Sequence, residues 1–234
     1  MADRSYLFAE PMVKALYTGR KTITRRLVTT LKRFGAVHDF GPSQTGGNDW
    51  QFRDSQKRWH HLKHDQLISV LPVQPGDRAY VREAWRTCAS YDADKPSQLP
   101  IYAPALYLAG GPQVVSPKAF DWGRYRHARF MPRHMSRLTL LIESVRLERL
   151  QDISELDAEA EGVDPFTWAP IGDRPNQSDY VTAFRQLWDG LNAERGFGWQ
   201  TNPIVTVIGF IVIEKNIDMV TEADEHLARK WGAS

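Results

Sequence analysis

Cysteine is almost absent from this chain of 234 residues, since Cys88 is the only one. A single thiol excludes an intrachain disulfide and a zinc site built from cysteines. Long hydrophobic runs are also missing, and the first residues lack the apolar stretch of a signal peptide. These absences predict a cytoplasmic protein that has no membrane partner, and no obligate protein partner is evident.

A strong excess of charge of one sign is missing as well. The formal net charge is +2, which is too small to indicate a general nucleic-acid binder. With 42% apolar and 25% charged residues, the composition is that of an ordinary globular domain. The cations are nevertheless clustered in two stretches, residues 20–26 and 124–137, and these are where an anionic ligand would be expected.

The pattern of apolar residues predicts an α+β fold in one domain, residues 1–234. Two polar stretches, at about 32–72 and 89–125, have weak periodicity and read as long insertions. Strands are predicted at 7–9, 78–85, 137–150 (with a bulge or bend near Ser144) and 204–214, and helices at 10–18, 154–161, 178–192 and about 221–231. Since strands dominate, we expect a small β-barrel with flanking helices.

The most informative segment is Gly-Arg-Lys-Thr-Ile-Thr-Arg-Arg at residues 19–26. Its cations are Arg20, Lys21, Arg25 and Arg26, and they flank the hydroxyls of Thr22 and Thr24. Such a cluster is a solvated basic edge, an anion contact, or a site where a hydroxyl becomes a nucleophile. Arginines crowding a lysine disfavour its ammonium form, so Lys21 could take the proton of a threonine.

Glu161 ends the predicted helix that begins at Ser154. A carboxylate there opposes the partial negative charge of the helix terminus, which favours the protonated acid. An acid in this place can donate a proton. The alternative interpretation is an acidic helix face turned towards water.

Histidines and aromatic residues provide further candidates. His60, His61 and His64 could hold a metal if they shared a helix, but no further ligand is evident. The aromatic candidates for stacking on a base are Trp85, Trp122, Tyr125 and Trp199, each of which could equally pack in a core. The second basic stretch, residues 124–137, contains interleaved aromatics and could contact phosphates.

The order of these segments resembles the ASCH superfamily, a group of PUA-like β-barrels. The resemblance rests on Gly19–Arg26, on the turn Pro75-Gly76-Asp77, on Val81-Arg82-Glu83-Ala84-Trp85 and on the passage from Val145 to Gly162. The longer ASCH proteins of phages and prophages share stretches similar to Met131-Pro132-Arg133, Ser136-Arg137 and Glu148–Ile153. The resemblance leaves both insertions and the C-terminal tail unexplained.

Small ASCH proteins are amidohydrolases that deacylate N4-acetylcytidine with a Lys, Thr and Glu triad. The resemblance implies that Lys21 is the base, Thr24 the nucleophile and Glu161 the acid, with Glu159 as the alternative acid. It implies no metal and no cofactor. This chain departs from the family pattern at Arg25, where the family has an apolar residue, and in its two insertions.

The remaining assignments concern the substrate, a small nucleoside. We assign substrate binding to basic, acidic and aromatic residues around the triad: Arg20, Arg26, Glu83, Trp85 and Tyr125. Two alternatives stay open, a non-catalytic module that binds RNA and, third, a ribonuclease. Because Lys21 and Thr24 are three residues apart, a turn or twist at Thr22-Ile23 is required before the triad can converge within about 3–5 Å.

Overall fold

The computed structural model describes residues 3–111, 116–167 and 178–232. The chain divides into two compact units, which are described separately: unit 1 is drawn from residues 1–22, 77–141 and 210–234, and unit 2 from residues 23–76 and 142–209. Helices and several sheets are both present, so the α+β class is confirmed. The barrel and the single domain over residues 1–234 stay predictions. Among the described residues, no helix combines the length and apolarity needed to cross a bilayer.

The described residues form thirteen strands and five α-helices. The strands are β1 (Arg4–Leu7), β2 (Ile23–Leu27), β3 (Thr30–Leu31), β4 (Gly35–Pro42), β5 (Trp50–Asp54), β6 (Trp59–Leu62), β7 (Arg78–Arg82), β8 (Trp85–Arg86), β9 (Leu106–Tyr107), β10 (Thr139–Arg149), β11 (Phe166–Thr167), β12 (Ser178–Asp179) and β13 (Ile204–Ile213). The helices are α1 (Glu10–Tyr17), α2 (His64–Val70), α3 (Glu155–Ala160), α4 (Tyr180–Asn192) and α5 (Glu222–Gly232).

Unit 1 is built on strand β7, which pairs with β1 in parallel and with β10 antiparallel. Helix α1 starts with a proline in its first turn, where a missing N–H costs nothing, and buries Val13, Ala15 and Leu16. It ends before Gly19, whose φ of +70° suits a residue without a Cβ. Two residues after this glycine comes Lys21, whose N–H donates back to the carbonyl of Ala15 in the helix at 3.0 Å.

Two predicted boundaries in unit 1 were wrong. The first strand is Arg4–Leu7 rather than 7–9, because helix α1 begins at Glu10; after the strand, the N–H of Phe8 donates to the carbonyl of Arg82. The strand predicted at 78–85 is split into β7 and β8. The stretch 89–125 contributes short 3-10 turns, strand β9 and part of a core cluster around Trp85: Leu99, Ala103, Ala105 and Tyr107.

Unit 2 holds the segment after Thr22. The strand order β10, β13, β2 leaves β2 at an edge. β2 pairs antiparallel with β13, with Thr24 opposite Ile208 and Arg25 opposite Val207. Helix α3 begins as the sequence predicts, since the hydroxyl of Ser154 accepts the N–H of Asp157 at 3.1 Å, and it is followed by Gly162 with a φ of +79°.

Residues 32–72 are more regular than their composition indicates. They contribute most of an antiparallel sheet, β3 to β6, followed by helix α2. Five of its apolar residues enter a hydrophobic core together with Leu31, Leu147 and Ile204: Val37, Phe52, Leu67, Val70 and Leu71. The hydrophobic periodicity of the sequence is weak here because the apolar residues of the stretch are few and widely spaced among polar ones. Burial of a few large side chains is enough to hold short strands.

The histidines of this stretch do not share a helix, so the condition for a helical metal site is not met. His60 lies in β6 and bonds the carboxylate of Asp54 at 2.9 Å, whereas His64 begins α2 and accepts the indole N–H of Trp50 at 3.2 Å. His61 bonds the hydroxyl of Ser43 at 3.0 Å. Each ring therefore joins a different pair of segments within unit 2. Among residues 3–111, 116–167 and 178–232, no group of three or more potential metal ligands occurs.

Asp54 organises the turn between β5 and β6, and its protonation should weaken unit 2. The side-chain hydrogen bond with His60 is the largest cause that lowers the pKa of Asp54, followed by donors from Arg58 and Gln56. Because the folded state lowers this pKa, the stabilisation is present above the unfolded pKa of about 4 and is lost as the pH falls through the folded pKa.

We therefore expect Asp54→Asn to lower the urea midpoint of unfolding at pH 7 and to differ less from the wild type as the pH falls. The matched control is Asp39→Asn, because Asp39 is exposed and its ion pair with Arg53, at 3.3 Å, is open to solvent. Equal losses in the two variants at pH 7 would contradict a special role for Asp54.

Candidate active site

Thr24 lies in the edge strand β2 and is 4% exposed. In an edge strand, the backbone groups on the outer side lack a strand partner and need other acceptors. The structure provides one: the N–H of Arg25, the residue after Thr24, donates to Oε1 of Glu161 at 2.7 Å. A carboxylate is therefore bound to the peptide group that joins Thr24 to Arg25.

Glu161 occupies the first position after helix α3 and is 3% exposed. The alternative acid, Glu159, is exposed, and its Oε1 accepts the hydroxyl of Tyr180 at 3.3 Å. The alternative interpretation, an acidic helix face turned towards water, is therefore wrong for Glu161 and right for Glu159. Among the described residues, Glu161 is the one of these two carboxylates that accepts a hydrogen bond from the backbone beside Thr24.

The side chain of Arg25 was not expected to matter to the site. It is fully buried, and its guanidinium bonds Glu148 and Asp157, the latter at 2.7 Å, and reaches Oε1 of Glu161 at 3.5 Å. Arg146 bonds the same two partners, Glu148 and Asp157. Two cations thus neutralise most of the charge of three carboxylates beside β2.

A signal for this network exists in the sequence. Arg146 and Glu148 are two residues apart, so they share one face of strand β10. Asp157 precedes Glu161 by four residues, which places both on one face of helix α3. What the sequence does not reveal is that Arg25 meets them, since 123 residues separate Arg25 from Glu148.

Lys21 belongs to unit 1, where it is 2% exposed. Its ammonium nitrogen lies 5.6 Å from the centroid of the Phe8 ring. The expected convergence of Lys21 with Thr24 and Glu161 stays a prediction.

Two of the five residues assigned to the substrate are arginines. Arg20 is exposed, and its Nε donates to the hydroxyl of Thr18 at 3.3 Å. Arg26 is half-buried in β2, opposite Thr206 of β13. The accessible head of Arg20 suits an anionic or polar ligand, and the binding role of both residues stays a prediction.

Glu83 is 1% exposed and forms a two-pronged ion pair with Arg137, with both N···O distances at 2.8 Å. The guanidinium of Arg137 lies 4.6 Å from the centroid of the Tyr17 ring and 4.0 Å from that of the Tyr107 ring. Burial raises the pKa of Glu83 despite the arginine, and burial raises the pKa of Tyr107 to about 12. This geometry gives Glu83 a structural role in unit 1, and a role in binding stays a prediction.

The aromatic candidates differ in accessibility. Trp85 is 0% exposed and packs in the core of unit 1, with the guanidinium of Arg126 lying 5.3 Å from its ring centroid. Tyr125 is 52% exposed, so its ring is open to a base. Between the two, Tyr125 is the one placed where stacking needs no rearrangement.

The second basic stretch is largely used within unit 1. Arg137 pairs with Glu83, Arg133 pairs with Asp3 at 2.5 Å, and the buried Arg126 donates to backbone carbonyls. Fewer cations than the sequence indicates are therefore available to phosphates.

Comparison of this chain with protein-family models, with curated proteins and with solved structures finds no match.

Proposed function

We propose that the protein is a metal-independent amidohydrolase, built on a PUA-like barrel of the ASCH type, that removes the acyl group from N4-acylated cytidine or a related pyrimidine. One observation carries the proposal: the carboxylate of Glu161 is bound to the N–H that follows Thr24, at 2.7 Å, inside the Gly19–Arg26 motif. A threonine and a buried acid are two of the three groups that the resemblance assigns to this reaction.

The reaction proceeds in two stages. Lys21 takes the proton of the Thr24 hydroxyl while the oxygen attacks the acyl carbonyl and forms a tetrahedral intermediate. The C–N bond then breaks as Lys21 passes this proton to the N4 amine, which leaves as cytidine while the Glu161 carboxylate holds the base at N4. Lys21 next takes a proton from water as the water attacks the threonine ester, and it returns that proton to the Thr24 oxygen as the carboxylic acid is released.

The developing oxyanion needs hydrogen-bond donors. The N–H of Arg25 is not one of them, because it donates to Glu161. Arg20, Arg26 or another backbone N–H would provide this stabilisation.

The test is incubation of the purified protein with N4-acetylcytidine, followed by chromatography for cytidine and acetate. We expect turnover that changes little between low and moderate ionic strength, because the nucleoside carries no phosphate. The control is the Thr24→Val protein under the same conditions. Absence of cytidine release from N4-acetylcytidine and from N4-acyl analogues with other acyl groups would overturn the proposal.

The alternative function is an RNA-binding module, favoured by the exposed side chains of Arg124, Tyr125 and Arg129. If RNA binding were the function, RNA affinity would fall steeply with salt, with a slope near one per phosphate contact. We expect instead weak RNA binding with a shallow salt slope, because Arg126, Arg133 and Arg137 are already bonded within unit 1.

A further inference from the structure

The Arg25 side chain is the feature of unit 2 that the proposed function leaves unexplained. Where the resembling family has an apolar residue, this chain has a cation that is fully buried. A buried cation is costly unless hydrogen-bonded carboxylates compensate it. Here the compensating groups come from two elements, Glu148 on strand β10 and Asp157 on helix α3.

Three contacts of Arg25 bear on the placement of Glu161. The main-chain N–H of Arg25 binds Oε1 of Glu161, and Nη1 reaches the same oxygen at 3.5 Å. Nη2 binds Asp157, which lies one helical turn before Glu161. Arg25 thus fixes the carboxylate directly, and it fixes the helix that carries it.

We propose that Arg25 is a positioning residue that holds the Glu161 carboxylate against strand β2, beside Thr24. This inference rests on the proposed function for its kinetic consequence, but the link between Arg25 and Glu161 can be measured without any turnover. A planar guanidinium is suited to the task because its fork of donors can bind several carboxylates at fixed angles. An ammonium group at the same position keeps the charge and loses the fork.

The kinetic test compares Arg25→Lys with Arg146→Lys. Both variants keep the charge and disturb the shared partners Glu148 and Asp157, but the described ion pair with Glu161 is made by Arg25. We expect Arg25→Lys to lower kcat about 10- to 100-fold with little change in KM, because a small displacement of a catalytic group is costly. Arg146→Lys should lower kcat less, and Arg149→Lys, whose partner is the carbonyl of Asn202, should match the wild type.

Equal losses of kcat in Arg25→Lys and Arg146→Lys would overturn the proposal, since they would indicate only a shared effect on stability. Retention of wild-type kcat by Arg25→Lys would overturn it too. Thermal melting of each variant, with assays well below the lowest midpoint, ensures that the comparison is made between folded proteins.

The structural test follows the backbone amide of residue 25 by NMR and hydrogen exchange. We expect Glu161→Gln to shift this amide resonance and to increase its exchange rate, because a charge-assisted hydrogen bond becomes a neutral one. Arg25→Lys should increase the exchange rate at residue 25 at least severalfold, and Arg149→Lys should not. If the wild type hydrolyses no acylcytidine, the proposed function fails while this measurement still decides the inference. An exchange rate at residue 25 that Arg25→Lys leaves unchanged would overturn it.

Discussion

Replacing Thr24 with valine is expected to reduce turnover of N4-acetylcytidine by several orders of magnitude, about 10⁴-fold, as for other nucleophiles that act as part of a triad. Valine has the shape of threonine without the hydroxyl, so it suits the buried site in β2. The loss would therefore report on chemistry rather than on packing. Steady-state rates with chromatographic detection of cytidine are the measurement.

The chain offers a matched control for this variant. Thr22 lies two residues earlier in the same motif and is exposed. We expect Thr22→Val to keep at least half of the wild-type kcat. If Thr24→Val retained most of the activity while Thr22→Val lost it, the assigned nucleophile would be wrong.

The Lys21→Arg variant distinguishes a role of Lys21 as a base from a purely electrostatic role. Arginine keeps the charge but does not deprotonate in proteins. We expect a loss similar to that of Thr24→Val, and the double variant should be no worse than either single variant, because the groups act as a unit. An active Lys21→Arg protein would instead indicate an electrostatic role for Lys21.

The parts of the fold that the sequence predicts are those with strong local signals. Helix α3 follows from the capping hydroxyl of Ser154 and from Gly162, and helix α1 from an early proline and from Gly19. These signals act within one or two turns of the chain, so no knowledge of the tertiary structure is needed. The same locality explains why Glu161 could be identified as the end of a helix.

The sheet formed by β3 to β6 could not be predicted in this way. Most of its strands are short, and its buried apolar residues, such as Val37 and Phe52, are separated by polar turns that hide the alternation. Strand pairing depends on cross-strand packing more than on the intrinsic preference of each residue.

Ion pairs between residues that are far apart in the sequence could not be predicted either. Arg25 meets Glu148 and Asp157 over sequence separations of 123 and 132 residues, and Arg137 meets Glu83 over 54. A cluster of cations in a sequence therefore says little about which of them face solvent. The basic stretch 124–137 illustrates this, since Arg137 and Arg126 are mostly buried within unit 1.

The ion pair of Arg137 with Glu83 should matter most to stability. Replacing Arg137 with methionine leaves the Glu83 carboxylate buried without its guanidinium partner. We expect the free energy of unfolding at neutral pH to fall by about 3–5 kcal/mol, the usual cost of removing one partner of a buried pair. Urea denaturation followed by fluorescence measures this loss, and Arg124→Met, which removes an exposed cation nearby, is the control.

The pH dependence of the loss identifies its cause. Burial already raises the pKa of Glu83, and Arg137 opposes that rise, so removing Arg137 should raise this pKa further. A carboxyl with a raised folded pKa favours folding most below its unfolded pKa of about 4.3, and it loses that contribution as the pH rises through the folded value. The deficit in the free energy of unfolding of Arg137→Met should therefore be smaller at pH 5 than at pH 7.5.

The double variant Glu83→Leu/Arg137→Met should recover much of the stability at pH 7.5, because no charge is left buried. A deficit that is independent of pH and unchanged in the double variant would mean that Arg137 stabilises the protein through its packing against Tyr17 and Tyr107 instead of through Glu83.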